Sequence, residues 1–203
     1  MPKDEAANSS SRANSPGRPW GQYLLLLFLW ALSVPLLAAF WVQFVWKEAP
    51  CPLCLLQRMC MILAGIGVIW ILTTDDAINR AAGPLRWSQG FAISVLAATL
   101  GLCISLRQML LHIAPDDPGF GTPVLGYHLY TWAFGIFIMI LICSGVSLVM
   151  TRSLCQINDT SKGSMLTRIT RISIWLFGLV ILANAVVVGF NAANELLTVA
   201  ATP

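Results

Sequence analysis

Five stretches of this chain run almost without charge: roughly Tyr23 to Trp46, Cys51 to Leu72, Ser88 to Ile113, Leu129 to Met150 and Ile172 to Phe190. Each reaches the approximately 20 residues that a helix needs to cross about 30 Å of hydrocarbon at 1.5 Å per residue. The runs are continuous rather than alternating, which excludes membrane strands, since lipid tolerates only helices or closed barrels. An all-α integral membrane helical bundle is the expected fold class. Composition agrees: 57% of the 203 residues are hydrophobic and 10% charged, against about 25% charged in a soluble domain. A net charge of +3 with no basic stripe argues against nucleic acid as a partner.

The remaining charges orient the spans. Lys3, Arg12, Arg18, Arg80, Arg86, Arg152, Lys162, Arg168 and Arg171 fall on one side, and only Lys47 falls on the other. Positive charge collects on the cytoplasmic side, so the N-terminus is expected there, with the first and third connections and the C-terminus facing outward. Residues 1–20 are polar and rich in Ser, Asn and Pro, which predicts a disordered cytoplasmic tail. The first apolar run is too long for the core of a cleaved signal peptide, so it reads as a retained span. The expected organisation is therefore a tail (1–20), four spans within 21–150, a cytoplasmic connection (151–171), a fifth span (172–190) and an outward tail (191–203).

Two kinds of residue stand out against this apolar background. Cys51-Pro52-Leu53-Cys54 lies where the chain re-enters the membrane from outside. A helix start supplies free N–H groups and partial positive charge, which favour a thiolate, and proline is well tolerated there. A structural disulfide, or two small apolar side chains, is the plainer alternative. Arg58 follows Cys54 by four residues, which puts it on the same helical face about 6 Å deeper. Arg107 lies at a similar depth in the third span. Two intramembrane cations without an intramembrane Asp or Glu suggest an electron-rich or anionic ligand, with snorkelling to the headgroups as the simpler reading.

At these residues a resemblance becomes specific. Cys51-Pro52-Leu53-Cys54-Leu55-Leu56-Gln57-Arg58 resembles the C-x-L-C-x-x-x-R motif of the DsbB family of membrane disulfide-bond formation proteins. Arg107-Gln108-Met109-Leu110-Leu111-His112-Ile113-Ala114-Pro115 resembles the family's R-Q-x-W-L-Q-x-x-P run, and the likeness extends from Leu24 to Met150. It implies a four-helix bundle in the bacterial inner membrane, here with a fifth span added. The implied activity is that of a quinone-dependent protein dithiol oxidase, which passes electrons from a periplasmic thioredoxin-like (DsbA-type) partner to ubiquinone or menaquinone. Cys51 would then be the catalytic thiol joined to the partner and Cys54 the one that engages the quinone. Arg58, with Arg107 beside it, would hold the quinone ring.

The chain also departs from the family pattern. Well-studied members carry a second cysteine pair in the loop after the third span, whereas residues 114–128 contain none. Cys60, Cys103 and Cys143 lie within spans and Cys155 in the fourth connection. Cys60 and Cys103 share a depth at which a bridge is conceivable, although buried cysteines usually pack as small apolar residues. Two other functions compete: a metal site of Cys51, Cys54, His112 and His128 at the outer face, and a noncatalytic relative that only binds partners.

Overall fold

A computed structural model of the protein describes residues 20–47, 51–73, 76–114, 119, 121–154 and 165–201. The tail expected over 1–20 falls outside these except for Trp20, as do Cys155 and the rest of 155–164 in the fourth connection. The described helices are α1 (Trp20–Val45), α2 (Pro52–Leu72), α3 (Asp76–Leu111), α4 (Leu129–Val149), the single turn α5 (Thr151–Leu154) and α6 (Met165–Ala201). Five are long and apolar enough to cross a membrane, over Trp20–Val45, Pro52–Leu72, Gly83–Leu111, Leu129–Val149 and Met165–Asn191. The expected all-α membrane bundle is what the chain forms. α3 starts earlier and α6 ends later than the apolar runs, because charges such as Arg86 and Glu195 end a hydrocarbon span without breaking a helix.

Small residues set the helix spacing, as packing in lipid requires when there is no hydrophobic drive between helices. Gly67 of α2 and Gly90 of α3 lie backbone to backbone, so that a Cβ on either would strike the other's carbonyl oxygen. Ser94 Oγ adds a hydrogen bond to Ala64 O at 2.8 Å. Gly101 of α3 receives the ring of Phe137 from α4 in the same manner. Towards the opposite end, Trp87 Nε1 donates to Ser147 O at 3.0 Å and its ring lies 5.1 Å from that of Phe91. Phe91 in turn meets Phe28 of α1 edge to face at 5.9 Å.

α6 lies against α1 and α2 along one narrow seam. Its buried residues Thr170, Ser173, Phe177, Val180, Asn184 and Val187 alternate in steps of three and four, the spacing of a single helix face. Gln22 Nε2 donates to Thr170 Oγ1 at 2.9 Å and Trp30 Nε1 to Ser173 Oγ at 3.0 Å. Phe177 fills the notch left by Gly65 of α2. Interhelical hydrogen bonds in bilayers average only about 0.6 kcal/mol, whereas removing a buried phenylalanine costs about 3–5 kcal/mol. Phe177 is accordingly the main anchor of the fifth span.

The helices run alternately up and down, which brings Cys51, the α3–α4 loop and the later part of α6 to one end of the bundle. That loop turns sharply at Leu125 and Gly126, both at positive φ (53° and 83°), and Trp132 Nε1 ties it down through Val124 O at 3.1 Å. Along α1, buried positions run from Gly21 to Leu36, after which only Val42 is buried. The last turns of α1 therefore pack loosely beside α2, next to Arg58.

Candidate dithiol site at the entrance of the second span

Cys51 is the N-cap of α2. Its backbone is extended (φ −70°, ψ 155°), Pro52 opens the helix, and its Sγ accepts the Cys54 N–H at 3.1 Å. A sulfur thus fills the place that a Ser or Asp oxygen usually takes, because the Pro52 ring removes one donor and the cap satisfies another. The helix turn then sets Cys54 Sγ 2.8 Å from Cys51 Sγ. Closing a disulfide of about 2.05 Å needs a shift of under about 1 Å.

The sulfurs share a buried amide from α3. Gln108, 1% exposed, directs Nε2 at Cys51 Sγ (3.4 Å) and Cys54 Sγ (3.5 Å). Its orientation is fixed by Gln57, whose Nε2 donates to Gln108 Oε1 at 3.0 Å. The Cys51 thiol is lowered to about 6 from its ordinary 9.0, first by the hydrogen bond from the Cys54 thiol. The backbone N–H of Cys54, the Gln108 amide and the backbone N–H of Leu53 act in the same direction, and partial burial opposes them. Cys51 is thereby the sulfur that carries negative charge near neutral pH.

Arg58 lies one turn beyond Cys54 and is 7% exposed. Its Nη1 donates to Gln43 Oε1 at 2.9 Å, its Nη2 to Ala39 O at 3.1 Å, and its guanidinium stands 5.7 Å from the centre of the Phe40 ring. All three partners belong to α1 and none is charged. No Asp or Glu lies within any of the five spans, so the cation is solvated by neutral oxygens and a π face, and its charge acts on both sulfurs. Arg107, expected at similar depth, is exposed on the surface of α3. The neighbouring Gln108 is the α3 residue that reaches the dithiol.

His112 and His128 do not turn toward the cysteines. Their rings stack on Tyr130 at 5.7 and 5.3 Å, and His128 Nδ1 lies 3.1 Å from Gly121 O. Among the described residues no three His, Cys, Asp or Glu side chains gather closely enough to hold a metal ion, which removes the basis for the Cys/His metal reading. Cys60, Cys103 and Cys143 are free thiols, so Cys60 and Cys103 form no bridge.

Sequence reasoning passed over Gln57 and Gln108 as site residues. The signal available was that two carboxamides occur in otherwise apolar helices, each next to one of the span arginines.

The fold and the site define an α-helical membrane protein with paired thiols at a helix entrance and a buried cation one turn deeper. Comparison with known proteins makes this specific. The profile of the family "Disulfide bond formation protein DsbB" matches residues 21–122, half of the chain, and the chain belongs to that family. The match takes in the first three spans and both sequence motifs. Disulfide bond formation protein B 2 of Burkholderia lata is 30% identical over 91 residues, covering 44% of this chain and 49% of the relative. Disulfide bond formation protein B of Saccharophagus degradans is 33% identical over 96 residues, covering 47% and 54%. That of Chromohalobacter salexigens is 30% identical over 76 residues, covering 37% and 41%. The matched part spans about half the length of these relatives. No solved structure matches the chain. Family and spans together make this a multi-pass protein of the inner membrane.

Proposed function

We propose that this protein reoxidises a periplasmic thioredoxin-like (DsbA-type) thiol oxidant and passes the electrons to a membrane quinone. The observation that supports this best is the pairing of a thiolate-favouring cradle at Cys51 with a buried cation at Arg58 that has no charged partner among the described residues. The orientation that supports it puts Cys51 and Cys54 on the periplasmic side and the N-terminus in the cytoplasm, from the distribution of Lys and Arg.

The residues around Arg58 fit a quinone. A guanidinium with spare N–H donors, a neighbouring aromatic face and loosely packed final turns of α1 offer hydrogen bonds to a ring oxygen and an apolar bed for the ring. When bound, the quinone supplies the two-electron oxidising capacity that a dithiol lacks.

The chain's own residues perform the rest. A partner dithiol attacks the Cys51–Cys54 disulfide at Cys51, and a mixed disulfide forms while Cys54 leaves. The partner's second thiolate then displaces Cys51, so the partner becomes a disulfide and Cys51–Cys54 a dithiol. Gln108 donates to whichever sulfur bears charge and so lowers the cost of both departures. Reoxidation withdraws two electrons and two protons from Cys51 and Cys54 and restores the disulfide, with Arg58 stabilising negative charge beside Cys54. Because residues 114–128 contain no cysteine, the partner meets Cys51 directly, or an intermediate pair comes from another protein.

Arg58→Ala in the full-length protein tests the quinone role. KM for a short-chain ubiquinone or menaquinone should rise at least tenfold while the Cys51–Cys54 disulfide still exchanges with partner thiols. An unchanged KM for both quinones would remove Arg58 from the acceptor site.

A further inference from the structure

Asn184 in the fifth span is 1% exposed, and its Oδ1 has no hydrogen-bond partner among the described residues. Its Nδ2 donates to Val180 O at 2.9 Å. That bond fixes the orientation of the amide, because a carbonyl accepts only from the NH2 side. What remains is a lone acceptor sealed from water, which costs about 1–3 kcal/mol where nothing donates to it. α6 could bury a leucine at this point of its seam, as it buries Val180 and Val187 on either side.

The level of Asn184 in the bundle follows from contacts already described. Phe177 of α6 faces Gly65 of α2, and the two helices run in opposite directions. Seven residues separate Phe177 from Asn184, and seven separate Gly65 from Arg58, each a rise of about 10.5 Å. α6 and α1 run in the same direction, with Thr170 bonded to Gln22 and Ser173 to Trp30. Advancing from those two contacts brings Asn184 level with α1 between Leu36 and Trp41. Ala39 and Phe40, the α1 residues that hold the Arg58 guanidinium, lie inside that interval.

We propose that Asn184 lines the acceptor site at Arg58, and that its Oδ1 takes a hydrogen bond from a hydroxyl of the reduced acceptor. This rests on the quinone reading above. A quinone ring has two oxygens that only accept. After taking two electrons from the Cys51–Cys54 dithiol, with the two thiol protons balanced by two protons on the ring oxygens, it has two O–H donors. Arg58 donates and so favours a ring oxygen carrying negative charge, whereas Asn184 accepts and so favours the protonated product. The two side chains divide the oxidised and reduced forms between them. The fifth span, which lies beyond the family match, thereby contributes to the reaction as well as to packing.

The test uses the full-length protein in nanodiscs with Cys51→Ser and Cys54→Ser, so that bound rings are not turned over. Affinities for a short-chain ubiquinone, a short-chain menaquinone and their hydroquinones are measured with and without Asn184→Leu, together with Tm in the absence of ring compounds. The expected result is hydroquinone affinity lower by roughly threefold to tenfold, the worth of one hydrogen bond. Quinone affinity should stay within twofold, and Tm should be unchanged or higher because an orphaned acceptor is removed. Asn184→Gln, which keeps an amide oxygen, should recover part of the hydroquinone affinity. Equal affinities in the Asn184→Leu protein overturn the inference alone, as does a parallel loss of both affinities with a lower Tm, which marks a packing role. If the parent binds none of the four compounds, the quinone reading falls and this inference with it.

Discussion

Gln57 holds Gln108 by a 3.0 Å amide-to-amide hydrogen bond, and this pair decides which way the Gln108 NH2 points. With its oxygen occupied by Gln57, Gln108 turns its two N–H donors to the sulfurs of Cys51 and Cys54. A neutral donor buried beside a thiolate is worth about 1.5–3 kcal/mol, and one pKa unit corresponds to about 1.4 kcal/mol.

Gln108→Leu should therefore raise the Cys51 thiol from about 6 by about one unit or more. Alkylation of the reduced protein by iodoacetamide, followed from pH 4 to 9, should show its midpoint move upward. Gln57→Leu leaves the donor present but unaimed, so its shift should be in the same direction and smaller. Identical midpoints for parent and Gln108→Leu would contradict the cradle.

The same thiol makes stability depend on pH in the reduced protein. Its folded value of about 6 lies below the ordinary 9.0, so its contribution is fully present above about 9 and is lost as pH falls through about 6. Tm of the dithiol form should fall between pH 9 and 6, relative to the disulfide form, in which Cys51 has no proton to exchange and the other cysteines are the same. Parallel Tm curves for the two forms would be the contrary result.

Much of this architecture was readable in the sequence because lipid imposes simple demands. Apolar runs of sufficient length had to be helices, and Pro52 beside Cys51 marked a helix entrance that the structure places at the N-cap. What was hidden is direction around each helix. Arg58 and Arg107 could be assigned a common depth by counting residues, but successive residues on a helix differ by about 100°. On α3 that difference puts Gln108 against the dithiol and leaves Arg107 exposed. Helix ends were also illegible, because hydropathy reports where hydrocarbon stops while hydrogen bonding continues, as in α6 to Ala201. The Phe177–Gly65 notch needed both helices in place before it had meaning.

That notch makes a prediction for the fifth span. Gly65→Val puts a side chain where the Phe177 ring sits, and overpacking of this kind costs about 1–3 kcal/mol. Tm should fall and protease cleavage between α5 and α6 should quicken. Phe177→Ala should lower Tm more, whereas Thr170→Val, which removes one hydrogen bond to Gln22, should have a small effect. A larger loss from Thr170→Val than from Phe177→Ala would show that hydrogen bonding, not packing, docks α6.

The two cysteines should differ when mutated singly. Cys54→Ser leaves the thiolate-favoured Cys51 without its resolving partner, so it should accumulate a mixed disulfide with an oxidised thioredoxin-like protein, visible on non-reducing gels. Cys51→Ser should accumulate far less, and neither variant should sustain partner oxidation. Full activity in either would remove the dithiol mechanism.

The most direct measurement is quinone reduction by the purified full-length protein supplied with a reduced thioredoxin-like partner, with the Cys51–Cys54 redox state followed in parallel. The account predicts one quinone reduced per partner disulfide formed, with Cys51–Cys54 cycling between dithiol and disulfide and no turnover in Cys51→Ser. Partner oxidation that proceeds while Cys51 and Cys54 stay in one state, or without quinone being consumed, would contradict it.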